Sequence, residues 1–250
     1  MTKIAVFTCI TGGYDALRSP VRLEPDIDYF CFSDAPSAAS GWTPAAMQDC
    51  LYSGAAANRW VKMRPHAQPL LAPYDATLYL DGSIEIVGDL RSFIDECLAR
   101  DEDVLMYDHP FRDCAYVEAL ACAQFGLDTI GRIGRQMRGM RAAGFPEHHG
   151  LFEAGVIFRR RSTQVESLMD DWWAAFLAGA QRDQLSLPFV AWQHGMRIGS
   201  LGRSDPRFGH RVFKLHRHAT TRVPLRASIR SRLNRLALAV AGRRRLLGAA

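Results

Sequence analysis

Four times in its first half the chain runs through apolar residues and then breaks off in a polar group. Lys3 to Thr11 closes on Gly12-Gly13, Asp28 to Asp34 ends in Ser33-Asp34, Leu78 to Leu80 gives way to Asp81-Gly82-Ser83, and Asp103 to Tyr107 leads into Asp108-His109. Near-continuous apolar runs are what strands buried on both faces require. A further strand is expected over 151–160 (LFEAGVIFRR). Between and after these runs lie stretches that read as helix: 58–71, 89–100 with Gly88-Asp89 as its cap, 116–126, 130–143, 165–177, and 181–192 with a break at Pro188. Strands alternating with helices predict an α/β sheet, and in such sheets ligands bind beyond the carboxyl ends of the strands. Asp81 is the sharpest of these strand-end groups, since the glycine after it lets a ligand approach the backbone.

Composition narrows the class. With 250 residues, 48% hydrophobic and 23% charged, the chain suits one globular domain with an appendage. A chain of this length buries enough surface to fold without disulfides or a structural metal. Its six cysteines (Cys9, Cys31, Cys50, Cys97, Cys114, Cys122) show no C-x-x-C pair and no zinc-type spacing, so they read as reduced, buried thiols of a cytoplasmic protein. The first residues carry no secretory pattern, and no apolar stretch reaches the roughly 20 residues that cross a bilayer.

Charge is divided unevenly. Residues 221–250 hold eight arginines and no acid; with the whole chain at +5, residues 1–220 carry −3. A boundary near Thr221 is therefore expected, with a body over 1–220 and a basic tail over 221–250. The mildly acidic body argues against a nucleic-acid surface. In the tail Leu225, Ile229, Leu233, Leu236 and Val240 recur at helical spacing among arginines. That pattern suits a helix lying in an anionic membrane surface, a helix docked on the body, or, less well, an RNA-binding segment.

No G-x-G-x-x-G, P-loop, G-x-S-x-G or H-E-x-x-H motif occurs. What remains is the set of strand ends: Thr11, Asp34, Asp81, Ser83, Asp108 and His109, with Arg59 and Lys62 three apart on one helical face. Acids that hold a divalent ion, together with cations that meet phosphate oxygens, make a kit for a nucleotide diphosphate. Glu153, set between apolar residues in the 151–160 strand, is a candidate acceptor-side group or base, or a buried structural acid. Glu85 is expected to face solvent, and Trp172-Trp173 to be core. The arginines at 132, 135, 138 and 141 read as a solvated face or as partners of an anionic acceptor.

Five segments in order, NRWVKMRPH, YLDGSIEI, YDHPFRDCAYVEA, LFEAGVIFRR and RDQLSLPFVAW, resemble the glycosyltransferase-like domain of unknown function 616, found in bacterial polysaccharide proteins and plant Golgi proteins. The resemblance spans about residues 3–195. It implies a GT-A type fold, a Rossmann-like mixed sheet flanked by helices, that uses a nucleotide-diphosphate sugar, UDP-sugar foremost, with Mn2+ or Mg2+. Asp81 matches the first acid of the family's metal-binding D-x-D element, whose third position here is Ser83. Asp108-His109 matches a substrate segment. Arg182, Asp183 and Gln184 match an R-D-Q element near the donor sugar, and His216 or His218 would complete a metal shell. The implied activity is transfer of a sugar to a polysaccharide, lipid-linked or protein acceptor; the expected location is cytoplasmic, with the basic tail over 221–250 as an optional peripheral attachment to the inner face of the plasma membrane. The Ser at position 83 leaves a non-catalytic nucleotide-sugar or glycan-binding subunit, or a membrane-recruited scaffold, as rivals.

Overall fold

The β1 strand, Ile4–Ile10, is buried along its whole length, and a computed structural model shows what surrounds it. The structure describes residues 2–35, 39–203, 206–218 and 225–241, without the side chains at 225, 226 and 241. In chain order the elements are β1, β2 (Ile27–Ser33), β3 (Thr43–Ala45), α1 (Gly54–Met63), β4 (Ala76–Leu80), β5 (Ile84–Ile86), α2 (Leu90–Leu98) and β6 (Val104–Asp108). There follow α3 (Ala115–Gln124), α4 (Ile130–Ala142), β7 (Phe152–Arg160), α5 (Thr163–Ala178), α6 (Asp183–Gln193), β8 (Ile198–Ser200), β9 (Phe213–Leu215) and α7 (Leu225–Ala241).

Seven strands form one sheet in the order β3-β2-β1-β4-β7-β6-β8, and β5 pairs with β9 in a separate ribbon. β1 runs parallel to both β2 and β4, β2 to β3, and β6 to β8, while β4 and β7 are antiparallel with Leu78 opposite Phe158. This is the mixed α/β sheet flanked by helices that the alternation of runs predicts. Each apolar run forms its strand, and Asp89 caps α2 by accepting the Ser92 N–H at 2.9 Å. The helix expected over 58–71 starts four residues earlier and stops at Met63. Pro65 and Pro69 lack the N–H that would extend it, so two 3-10 turns follow instead. The three-residue strands β3, β8 and β9 are too short to leave a periodic signal.

The chain divides into two units, each with a core of its own. The first, residues 1–107, 153–173 and 197–221, holds most of the sheet, with Val6, Leu78, Leu80, Ile94, Leu105 and Phe158 among its fully buried residues. Trp172 and Trp173 are buried, as expected. The second, residues 108–152, 174–196 and 222–250, is helical around Ala119, Cys122, Ile133, Met137, Phe145 and Leu185. The expected body over 1–220 thus contributes to both units, and α7, which lies beyond the expected boundary, packs on α3 within the second. Residues 221–224 and 242–250 of the expected tail lie outside the described residues. Among the described residues no helix is long and apolar enough to cross a membrane.

The attachment of α7 is polar. Buried Asn234 donates to the Ala123 and Asp128 carbonyls at 3.0 and 2.9 Å and accepts the Ile130 N–H at 3.1 Å. It thereby satisfies orphan groups at the end of α3 and the start of α4. Ser231 and Arg235 both donate to the Gln124 carbonyl, and Arg230 to that of Gly126. These cations sit where the α3 dipole is negative. Gly126, at φ +67°, brings its backbone so close to α7 that a Cβ would lie 2.4 Å from the Ala227 carbonyl oxygen.

Gly126→Ala combines a left-handed backbone with that collision, and is expected to cost more than about 2 kcal/mol, read as a fall in the denaturant midpoint. All six cysteines are free and five are buried. Burial pushes the thiols of Cys31 up to about 11 and of Cys97 and Cys122 up to about 12. The folded chain therefore holds protons there that the unfolded chain gives up near pH 9, so stability is lost as pH rises from about 9 towards 12. A pH series of melting temperatures should show that decline, and iodoacetamide on the native protein at pH 8 should label Cys50 alone.

Candidate functional site

Along the carboxyl edge of the first unit's parallel strands, the ends of β2, β1 and β4 stand side by side, and with them Asp34, Thr11 and Asp81. Asp34 accepts the Gly12 N–H on both carboxylate oxygens at 2.9 Å. Gly12 and Gly13, both at φ +61°, form the turn that allows this. Thr11 is buried and its hydroxyl donates to the Gly54 carbonyl at 2.8 Å, joining the end of β1 to the start of α1. Asp34 also lines a cavity of about 330 Å3 with Cys31, Ser33 and Pro44.

The centre of the site is Asp81. β4 is buried throughout, and its last turn delivers the carboxylate with 39% of its surface exposed. One oxygen accepts the Tyr79 hydroxyl at 2.8 Å and faces the Lys62 ammonium at 3.5 Å. Lys62 is 2% exposed, so its charge lies beneath Asp81 rather than in solvent. Burial, then the neighbouring carboxylate, pushes the Tyr79 phenol well above its ordinary range and keeps it a donor. Arg59 lies half-buried on the same helix and donates to Asn58 Oδ1 at 3.0 Å; Asn58 in turn donates to the Cys9 carbonyl. Across the strand pair, the Asp81 N–H donates to the Gly155 carbonyl at 2.8 Å. A Cβ at Gly155 would sit 3.3 Å from the Ile84 side chain and, at an ordinary contact distance of 3.4 Å, from the other Asp81 oxygen. Gly82 differs from expectation: a Cβ there would meet Ile10 at 2.7 Å and Asp15 at 3.1 Å. Its smallness serves packing against β1, not ligand approach.

Asp81 opens on a cavity of about 240 Å3 that Ser83, Tyr107, Glu153, Arg207 and His218 also line. Glu153 is paired with Arg207 at 2.9 Å. The ribbon decides between the two late histidines. Ile84 lies opposite Leu215, and the His216 N–H donates to the Ser83 carbonyl at 2.8 Å, which carries the chain on to His218 in the lining of the same cavity as Asp81. His218 bonds Asp15 at 2.8 Å and packs on the Tyr14 ring. His216 pairs with Glu85 at 2.6 Å, and Glu85, expected in solvent, is half-buried by that pairing. Ser83 is buried at the cavity floor. Among the described residues no three His, Cys, Asp or Glu side chains stand close enough to hold a metal ion. Asp81 and His218 line the same cavity.

The remaining candidates belong to the second unit. Asp108 ends β6, and His109 is buried with Nδ1 accepting the N–H groups of Phe111 and Arg112 at 3.2 and 3.1 Å. That makes His109 the staple of its own turn, backed by Glu118, which holds Arg112 at 2.5 Å. Asp183 is the first residue of α6, after Arg182 at the N-cap; it is buried and accepts the Gln184 N–H at 3.2 Å. Arg182 donates to Gln184 Oε1 at 3.2 Å. Arg132 and Arg141 pair with Asp128 and Glu147. Two cavity residues of the first unit went unread in the sequence: Arg207, in a short 3-10 turn, and Tyr107, whose hydroxyl meets His210 at 2.6 Å. Tyr107 opens the YDHPFRDCAYVEA segment but reads there as the end of an apolar strand, and for Arg207 the sequence carries no signal.

No family model and no curated protein matches the chain. Among solved structures, mouse xyloside xylosyltransferase 1 in its apo form is 13% identical over 80% of this chain and 84% of that one, with a TM-score of 0.45. The glycosyltransferase GlyE of Streptococcus pneumoniae TIGR4 is 12% identical over 83% of this chain and 46% of that one, with a TM-score of 0.43. These values assign no role to any residue.

Asp81→Asn removes the negative charge in front of a buried ammonium, whereas Lys62→Met removes the buried charge itself and leaves a half-exposed carboxylate bonded to Tyr79. Asp81→Asn is therefore expected to be the more destabilising, by about 1–3 kcal/mol relative to wild type. Differential scanning calorimetry of the two variants measures the order.

Proposed function

We propose that the chain is a glycosyltransferase of the GT-A type that takes a nucleotide-diphosphate sugar as donor and a glycan, lipid-linked or protein hydroxyl as acceptor. The observation that carries this reading is the cavity in the first unit. A carboxylate fixed by Lys62 and Tyr79 forms one wall, the Glu153–Arg207 pair another, and His218 the rim. Its volume is on the scale of a sugar diphosphate. The row of strand ends leading to Asp34 and the 330 Å3 cavity beside it offers room for the nucleoside.

In this reading the bond from the anomeric carbon to the diphosphate breaks, a bond to the acceptor oxygen forms, and the acceptor proton passes to a carboxylate. Glu153 would take that proton and Arg207 would meet the departing phosphate, a reading supported by their pairing in the cavity lining. Lys62 acts behind Asp81, holding it in position. Mn2+ or Mg2+ carried on the diphosphate would rest on Asp81 and His218 and neutralise leaving-group charge. UDP-sugar is the donor proposed first, from the motif resemblance. A non-catalytic nucleotide-sugar-binding subunit is the second reading, favoured by the buried Ser83 that stands where a second acid is expected.

The test is thermal shift with UDP-, GDP-, CMP- and dTDP-sugars, each with and without Mn2+, followed by release of nucleotide diphosphate. A rise in melting temperature with one donor, absent in Asp81→Asn measured against its own ligand-free melt, supports the reading. Turnover that falls at least about a hundred-fold in Glu153→Gln makes the protein an enzyme. Binding without turnover selects the second reading, and no shift with any donor rejects both.

A further inference from the structure

α7 is fastened to the second unit by its polar side. Ala227, Ser231, Asn234 and Leu238 recur at intervals of four, three and four, and through them the helix meets Gly126, Gln124, Ala123 and the start of α4. At about 100° per residue, the stripe of Ile229, Leu233, Leu236 and Val240 lies roughly 160° away on the same helix. The helix therefore docks with its aliphatic stripe turned outward, and those four side chains are 50, 62, 64 and 81% exposed. Phe125 and Leu127, on either side of Gly126 at the docking seam, add 62 and 40%. An aliphatic surface of this kind, left open by a helix that has already satisfied its polar groups, calls for an apolar environment.

Charge identifies that environment. Arg232 is exposed beside the stripe, Arg230 and Arg235 lie between it and the seam with their Nε groups on the Gly126 and Gln124 carbonyls, and residues 222–250 hold eight arginines with no acid. Nucleic acid would supply phosphates, but it is gripped by several stacking rings, and this surface sets Phe125 beside five aliphatic side chains. A second copy of the chain would cover the aliphatics only by bringing two acid-free arginine helices together. A bilayer with anionic headgroups satisfies both features at once: acyl chains take the aliphatic side chains and lipid phosphates take the guanidinium groups. We propose that the outward face of α7 docks on an anionic phospholipid surface, the helix lying in the interface plane while its polar side keeps its bonds to the second unit.

Co-sedimentation of the full chain with vesicles tests this, comparing phosphatidylcholine alone with phosphatidylcholine plus phosphatidylglycerol at low and high salt. The expected result is binding to the anionic vesicles that salt weakens. Leu233→Asp with Leu236→Asp should lower the partition coefficient at least about ten-fold, and Arg232→Ala about five-fold. Circular dichroism and melting temperature should not change in these variants, because the substituted side chains point away from the docking seam. Equal binding to neutral vesicles, no binding to either, a dimer by light scattering that Leu233→Asp dissolves, or retention of single-stranded RNA in preference to anionic vesicles would each overturn the proposal. None of these outcomes depends on the sugar donor, so the transferase reading stands or falls separately.

Discussion

An ammonium group that does not reach bulk water dictates what stands in front of it. Lys62 is that group, and the rest of the first unit's site is organised by the need to give it a carboxylate. α1 carries it under the sheet edge, β4 delivers Asp81 after five buried residues, and Tyr79 locks the same oxygen from below. The Gly155 carbonyl on the neighbouring strand accepts the Asp81 N–H. Because the pair is rigid on its buried side and open on the other, Asp81 presents one defined face to the cavity.

The second unit is held by a different logic. Its core is small and rich in alanine, so α7 adds little apolar burial and is bound through hydrogen bonds to orphan carbonyls and an orphan N–H at helix ends. Those bonds are directional. They fix which side of α7 faces inward more strictly than hydrophobic contact alone would, and they explain why the most apolar stripe of the helix is the one left outside.

Much of the fold was legible because buried strands need unbroken apolar runs, and this chain spells them out at 3–11, 28–34, 78–80, 103–107 and 151–160. Asp81 was legible for the same reason: a carboxylate that ends such a run has nowhere to be but the sheet edge. What stayed illegible depended on contacts between residues far apart in the chain. His216 and His218 look alike in sequence, and only the register of β5 against β9 sends one to Glu85 and the other to the cavity. Arg207 reaches Glu153 from a turn with no periodicity to mark it. The outward stripe of α7 was visible as a stripe, yet its direction was set by Asn234 and Ser231, which propensity alone places nowhere in particular. Gly82 shows the reverse error, a small residue read as ligand room when its neighbours are Ile10 and Asp15.

The β5–β9 ribbon has a consequence for how the protein comes into being. Its two strands are more than a hundred residues apart, and β9 comes after every strand of the main sheet. During synthesis, which proceeds from the N-terminus, the sheet and the Lys62–Asp81 pair are able to assemble while β5 still has an unpaired edge and the cavity lacks its Arg207 and His218 wall. Within the first unit the site thus matures last, and a nascent chain passes through a stage in which the carboxylate is in place but its pocket is still open on one side.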